Sequence, residues 1–96
     1  MDFLPLRSPI LNAAGTLGFA PNPRGSVDLA CLGAFVTNPI SLKPRHPAAA
    51  RCLLPFPGGF LLHSGFPNPG FRKAVDQYAG RWAKSPLPVI VHLMAD

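Results

Sequence analysis

Apolar positions in this chain fall into short runs cut by proline and glycine, with one longer stretch at helical spacing. Phe71, Val75, Tyr78, Ala79 and Trp82 stand at i, i+4, i+7, i+8 and i+11, the stripe a helix turns toward a core. Arg72, Lys73, Asp76, Gln77 and Arg81 lie largely off it. Asn68 is placed to cap this helix, with Pro69 in its first turn. Ser85-Pro86-Leu87-Pro88 breaks it, and the β-branched run Val89-Ile90-Val91-His92-Leu93-Met94 predicts a strand. Inside that strand His92 reads as a core histidine.

Pro9-Ile10-Leu11-Asn12-Ala13-Ala14 predicts a buried strand ending at Gly15, and Ala34-Phe35-Val36-Thr37 a second one. Between them Ser26 caps a short predicted helix over 27–32, with Gly33 as its stop. From Lys43 to Pro57 the prolines at 44, 47, 55 and 57 predict irregular chain. Phe60-Leu61-Leu62 is apolar, and residues 63–70 read as a loop. The order is strand, helix, strand, long loop, helix, strand. Apolar runs without alternation predict strands buried on both faces, as in a parallel α/β sheet.

Composition narrows the function classes. Of 96 residues, 48% are hydrophobic and 14% charged, with a net charge of +5. The nine cations are scattered, so the clustered footprint of a nucleic-acid binder is missing, and no nucleic-acid partner is expected. Lys43-Pro44-Arg45 with Arg51 makes a basic loop that faces an anion or solvent. The start Met1-Asp2-Phe3-Leu4-Pro5 lacks the basic region of a signal peptide. No apolar run reaches the roughly 18 residues of a membrane span. A cytoplasmic protein without membrane contact is expected. Cys31 and Cys52 are too few for a disulfide framework and read as reduced thiols. A chain this short buries only roughly 60–65% of its unfolded surface, so its core is thin.

Two loops are candidates for chemistry. Ala13-Ala14-Gly15-Thr16-Leu17-Gly18 lets a ligand approach the backbone, or simply ends a strand. It lacks the Gly-Lys-Ser/Thr ending of a phosphate loop. Gly58-Gly59, followed by Ser64-Gly65-Phe66-Pro67-Asn68-Pro69-Gly70, gathers small residues and an amide. An amide donates and accepts, which suits a planar heterocycle; the same residues also make a turn and a helix cap. His63 sits on that loop. Asp2, Asp28, Asp76 and Asp96 are far apart, so no acid–base pair is visible. Ser64 has no nucleophile elbow. The histidines 46, 63 and 92 show no metal spacing. No catalytic residue and no metal site is assigned.

Taken in order, these segments resemble the dihydroorotate dehydrogenase family, its soluble class 1 branch in particular. The resemblance rests on residues 8–18, Leu32-Gly33-Ala34-Phe35-Val36-Thr37, Lys43-Pro44-Arg45, Pro57-Gly58-Gly59-Phe60-Leu61, Gly65-Phe66-Pro67-Asn68-Pro69-Gly70 and Pro88-Val89-Ile90-Val91. It implies a flavoprotein oxidoreductase of pyrimidine biosynthesis: a (β/α)₈ TIM barrel that binds FMN at the C-terminal ends of its strands and oxidises dihydroorotate to orotate. Residues 1–96 would then be the N-terminal part of the FMN-binding barrel, roughly its first three strands. By resemblance Ala13, Ala14, Gly15 and Asn38 lie along the flavin, and His63, Gly65, Phe66 and Asn68 belong to the substrate side.

Two departures stand out. Asn38 occupies the place of the family's lysine, removing a fixed positive charge. Leu62 occupies the place of an asparagine in the substrate loop, with His63 one position away as a substitute. The family's base, later flavin lysine and phosphate loops fall beyond residue 96. The expectation is therefore an incomplete chain, inactive alone, with a small-molecule substrate and, as partner, the missing part of the barrel or a second copy in a homo-oligomer. The alternative expectation is a non-catalytic barrel remnant or interaction module.

Overall fold

The computed structural model describes residues 6–47 and 53–95. Asp2, Arg51, Cys52, Asp96 and the chain start read above lie outside those residues. Strand β1 (Phe35–Val36) is followed by β2 (Ile40–Ser41), β3 (Leu53–Phe56) and β4 (Gly59–Leu62). Helix α1 (Phe71–Ala83), β5 (Val89–Ile90) and β6 (Leu93–Met94) complete the order. This is a small α/β arrangement with one α-helix among the described residues.

The predicted strands pair in parallel. Phe35 faces Val89 and Val36 faces Ile90; further along, Ile40 faces Leu93 and Ser41 faces Met94. On the other side of β1, Leu11 makes an isolated parallel bridge to Ala34. Three chain segments thus run side by side in the same direction. The strand expected over 89–94 is two short ladders, interrupted at Val91-His92. At the gap a side chain replaces the ladder: Thr37 Oγ1 accepts the His92 N–H at 3.0 Å. His92 itself is exposed, so the expected core histidine is not there.

The first predicted strand is reduced to the Leu11 bridge, with Ile10 and Leu11 exposed. The close approach of Ser8 to Gly33 holds this segment in place: a Cβ on Gly33 would stand 1.9 Å from the Ser8 carbonyl oxygen. The helix expected over 27–32 is a single 3₁₀ turn, Leu29–Cys31. Its cap is Asp28, which accepts the Ala30 N–H, and not Ser26. One helical turn fixes several dihedrals for a single hydrogen bond, and in this six-residue candidate only Leu29 and Leu32 reach the core. Cys31 is an exposed free thiol.

Leu53–Phe56, inside the stretch expected to be irregular, pairs with Gly59–Leu62 as an antiparallel hairpin. Pro57-Gly58 turns it, with Gly58 at φ 91°, the left-handed conformation such a turn asks of its glycine. Pro55 is tolerated because the ribbon has two strands and each has a free edge. All eight strand residues are exposed.

Helix α1 forms where expected, but its stripe is only partly covered: Val75, Tyr78 and Trp82 are half-buried, Phe71 and Ala79 are exposed, and the buried residue is Ala74 beside the stripe. It lies against β2, and its Ala74 is fully buried. Phe19, Tyr78 and Trp82 stack in series, and Trp82 Nε1 donates to the Phe19 carbonyl at 2.7 Å. The N-cap is Gly70 and not Asn68. The core proper is small: Leu32, Phe35 and Leu87, flanked by Leu17, Leu29 and Val89.

The expectation of strands buried on both faces holds for part of the sheet. Ala34, Phe35, Thr37, Ile40 and Ser41 are buried, while Val89 and Ile90 are half-buried and Val91 and Leu93 are exposed. The chain exposes 7050 Å², where a self-contained chain of its mass exposes about 5,300 Å². Its radius of gyration is 15.1 Å, against about 12.5 Å for a compact domain of this length. No helix among the described residues is long and apolar enough to cross a membrane.

Candidate functional site

Three loops meet beside the parallel ladder. The glycine loop follows Leu11, residues 38–39 follow β1, and residues 64–67 follow β4. Gly15, Asn38, Pro39, Ser64, Phe66 and Pro67 together line a cavity of about 200 Å³. The first two loops leave the C-terminal ends of adjacent parallel segments, the edge where α/β folds build ligand sites.

The glycine loop is anchored by Asn12, which sequence reasoning passed over. Its Oδ1 accepts the Val36 N–H at 2.7 Å and its Nδ2 donates to the Val36 carbonyl at 2.8 Å. An amide side chain therefore pairs with β1 as a strand would. The signal was a lone polar residue inside an apolar run. The Asn38 N–H donates to the Gly18 carbonyl at 2.9 Å, tying the second loop to the first. Gly15 has φ 87°, and nothing lies within 4 Å of where its Cβ would stand. Its backbone is open to an approaching group.

The third loop is held from below. Asn68 Oδ1 accepts the N–H groups of Ser41 (3.2 Å) and Gly70 (2.9 Å). Its Nδ2 donates to Ser41 Oγ (3.1 Å) and the Phe66 carbonyl (3.0 Å). Arg45 and Asn68 form an antiparallel bridge, and Arg45 Nε donates to the Gly65 carbonyl at 3.0 Å. Phe66 adopts φ 49°, uncommon for a residue with a side chain. Ser64 Oγ accepts its N–H at 3.1 Å, and Asn68 holds its carbonyl. Strain held in this way gathers at ligand sites.

The structure brings together Gly15, Asn38 and Phe66 from the sequence-derived set. Ala13, which is exposed, and Ala14, half-buried, sit on the same loop outside the cavity lining. Gly65 is buried behind the loop. The Asn68 amide is fully engaged within the protein, so its place is under the loop. His63 is exposed and does not line the cavity. Ser64, Pro39 and Pro67 are lining residues that the sequence reading left out.

One polar atom in this cluster lacks a partner. The Asn38 Oδ1 is buried and accepts no hydrogen bond. A buried acceptor without a donor costs roughly 1–3 kcal/mol, so it marks a place where a donor belongs. This observation fits the edge of a bound ring. The cavity is below the roughly 300 Å³ at which small-molecule sites usually begin, and no cation among the described residues lines it. It suits one edge of a planar ring.

No family model matches the chain. Curated relatives do. The catalytic subunit of dihydroorotate dehydrogenase B (NAD(+)) from Desulforudis audaxviator is 36% identical over 93 residues, covering 97% of this chain and 30% of the relative. The protein of the same name from Pelobacter propionicus is 36% identical over 89 residues, covering 93% of this chain and 29% of the relative. That from Maridesulfovibrio salexigens is 35% identical over 97 residues, covering 99% of this chain and 32% of the relative. The chain therefore spans about 30% of the length of the curated relatives it matches.

Proposed function

This chain corresponds in sequence to the N-terminal part of the dihydroorotate dehydrogenase family, and from that premise we propose that it builds the flavin-facing edge of an FMN-dependent oxidoreductase. The observation that carries the reading is the shared cavity: Gly15 and Asn38 from the flavin-side loops meet Phe66 from the substrate-side loop. The proposed fold is the opening of a TIM barrel. Leu11, β1 and β5 would be neighbouring parallel segments of its first three strands.

When bound, FMN would accept a hydride from a dihydropyrimidine substrate. The protein's part is positional. The backbone of Ala13, Ala14 and Gly15 would lie along the ring, and the open space at Gly15 permits that approach. Asn38 would meet the ring edge or the substrate. Gly65, Phe66 and the adjoining His63 would border the substrate, with Asn68 holding their loop in shape. The base that takes the substrate proton is assigned to no residue of this chain.

A second proposed element is a covering partner. The excess surface includes Leu53, Leu54, Phe56, Phe60, Leu61 and Leu62 on the hairpin. The difference of about 1,700 Å² from a self-contained chain is about twice what one side of a standard interface buries. Further barrel strands or a second copy of the chain would cover it.

The test is flavin retention. The chain is incubated with FMN, desalted and scanned for the flavin absorbance band, alone and mixed with the remaining segment of a relative's barrel. Retention that falls on Gly15→Val, a residue rarely tolerated at φ 87°, supports the reading. No retention in either mixture favours the non-catalytic remnant or interaction module.

A further inference from the structure

We propose that Pro39 is a positioning residue of the candidate site: lacking an N–H, it forces one extra residue into the strand that runs from β1 to β2, and this extra residue turns Asn38 and Pro39 together toward the cavity while Ile40 stays in the core. The inference rests on reading this cavity as part of the flavin-facing edge and goes further by naming what shapes it.

The hydrogen-bond ladder shows where the extra residue enters. The Phe35 N–H donates to the Pro88 carbonyl and the Thr37 N–H to the Ile90 carbonyl, alternate residues on each side. The next step of that series is residue 39 to the His92 carbonyl. Residue 39 is a proline and has no N–H to give. The Ile40 N–H donates to the His92 carbonyl instead, at 2.9 Å. The register records the same step. Val36 faces Ile90 and Ile40 faces Leu93, so Thr37, Asn38 and Pro39 stand against only Val91 and His92. Three residues opposite two make a β-bulge, which re-aims side chains beside functional sites. Thr37 Oγ1, which accepts the His92 N–H, ties the bulge to the neighbouring segment.

Side-chain placement follows. Neighbours in a regular strand point to opposite faces. Here Phe35, Thr37 and Ile40 are buried, whereas Asn38 and Pro39 are both half-buried and both line the cavity. Without the extra residue, position 39 would return to the buried face and Ile40 would come round to the cavity side. Proline also keeps the residue before it, Asn38, in extended backbone. The bulge therefore gives one strand two successive wall residues, where Gly15 and Phe66 approach from the other loops.

The experiment restores the missing N–H and then removes it again. Three forms of the 96-residue chain are assembled chemically: unaltered, Pro39→Ala, and one with lactic acid at position 39. Lactic acid has alanine's methyl side chain but an ester oxygen in place of the N–H. Isotopic labels at the backbone nitrogens of positions 39 and 40, where present, and at the His92 carbonyl carbon report couplings across the hydrogen bond. The expected partner of the His92 carbonyl is Ile40 in the unaltered and lactic-acid forms and residue 39 in Pro39→Ala. FMN retention is measured on the same forms. The lactic-acid form is expected to bind FMN about ten-fold more tightly than Pro39→Ala, the scale of one hydrogen bond, although the two share a side chain. Ile40 keeping the coupling in Pro39→Ala overturns the proposal. So does a lactic-acid form that matches Pro39→Ala in coupling or in FMN affinity. If Pro39→Ala does not fold, the lactic-acid form decides by keeping or losing the Ile40 coupling. No FMN bound by any form sinks the flavin reading, and the couplings then decide the role of Pro39 by themselves.

Discussion

Replacing Asn68 with alanine removes an amide that four protein groups use at once. Ser41 and Gly70 lose the acceptor for their N–H groups, and Ser41 Oγ and the Phe66 carbonyl lose a donor. Ser41 and Gly70 are buried, so their N–H groups cannot turn to water. At about 1 kcal/mol for each stranded N–H and about 0.5 kcal/mol for each lost donated bond, the cost is about 3 kcal/mol. For a chain of this length that lowers the melting temperature by about 15 °C. Asn68→Asp keeps both acceptor bonds and loses the two donated ones, which by the same figures is about 1 kcal/mol, about a third as much. The assay is urea unfolding followed by fluorescence of Trp82, the sole tryptophan, which is packed on Tyr78. A loss below about 1 kcal/mol for the alanine variant would refute the reasoning. If the alanine variant leaves no folded baseline, Asn68→Asp and Ser41→Ala carry the comparison.

Three more outcomes are expected. Gly33→Ala should destabilise by about 3 kcal/mol in the same urea assay, because its Cβ would collide with the Ser8 carbonyl oxygen and backbone must shift. Thr37→Val keeps the shape but removes the acceptor of the His92 N–H; a loss of about 1 kcal/mol and about five-fold faster hydrogen exchange at His92 are expected. Trp82→Phe keeps an aromatic ring in the stack and loses the bond to the Phe19 carbonyl, lowering the circular-dichroism melting temperature by about 5 °C.

Local pattern was enough to find α1, since the Phe71-to-Trp82 stripe is set by helical geometry alone. It was also enough to find the β character of residues 34–37 and 89–94. Its ends were harder. Gly70 caps the helix because Asn68 turns its amide to Ser41, a residue 27 positions away, and no local rule reports that. The hairpin was hidden by Pro55 and Pro57, which break helices and interior strands but cost little in a free two-stranded ribbon. The split at Val91-His92 depends on Thr37, 55 positions earlier. For the site, Gly15, Asn38 and Phe66 were legible from motif resemblance. Asn12 and Ser41 were not, because each acts by bonding to backbone brought near by the fold.

The parallel pairing of β1 with β5 also sets an order of assembly. Phe35 and Val89 are more than fifty positions apart, so their ladder must wait for a long loop to close, at an entropic cost that local structure never bears. The β3–β4 hairpin and α1 both lie inside that loop and need only near neighbours. Hairpins form in about 1–10 μs and helices faster still. Each one that forms shortens the flexible chain left to close. The β1–β5 ladder is therefore expected to close after the hairpin and the helix, because its loop is the longer one to bring together.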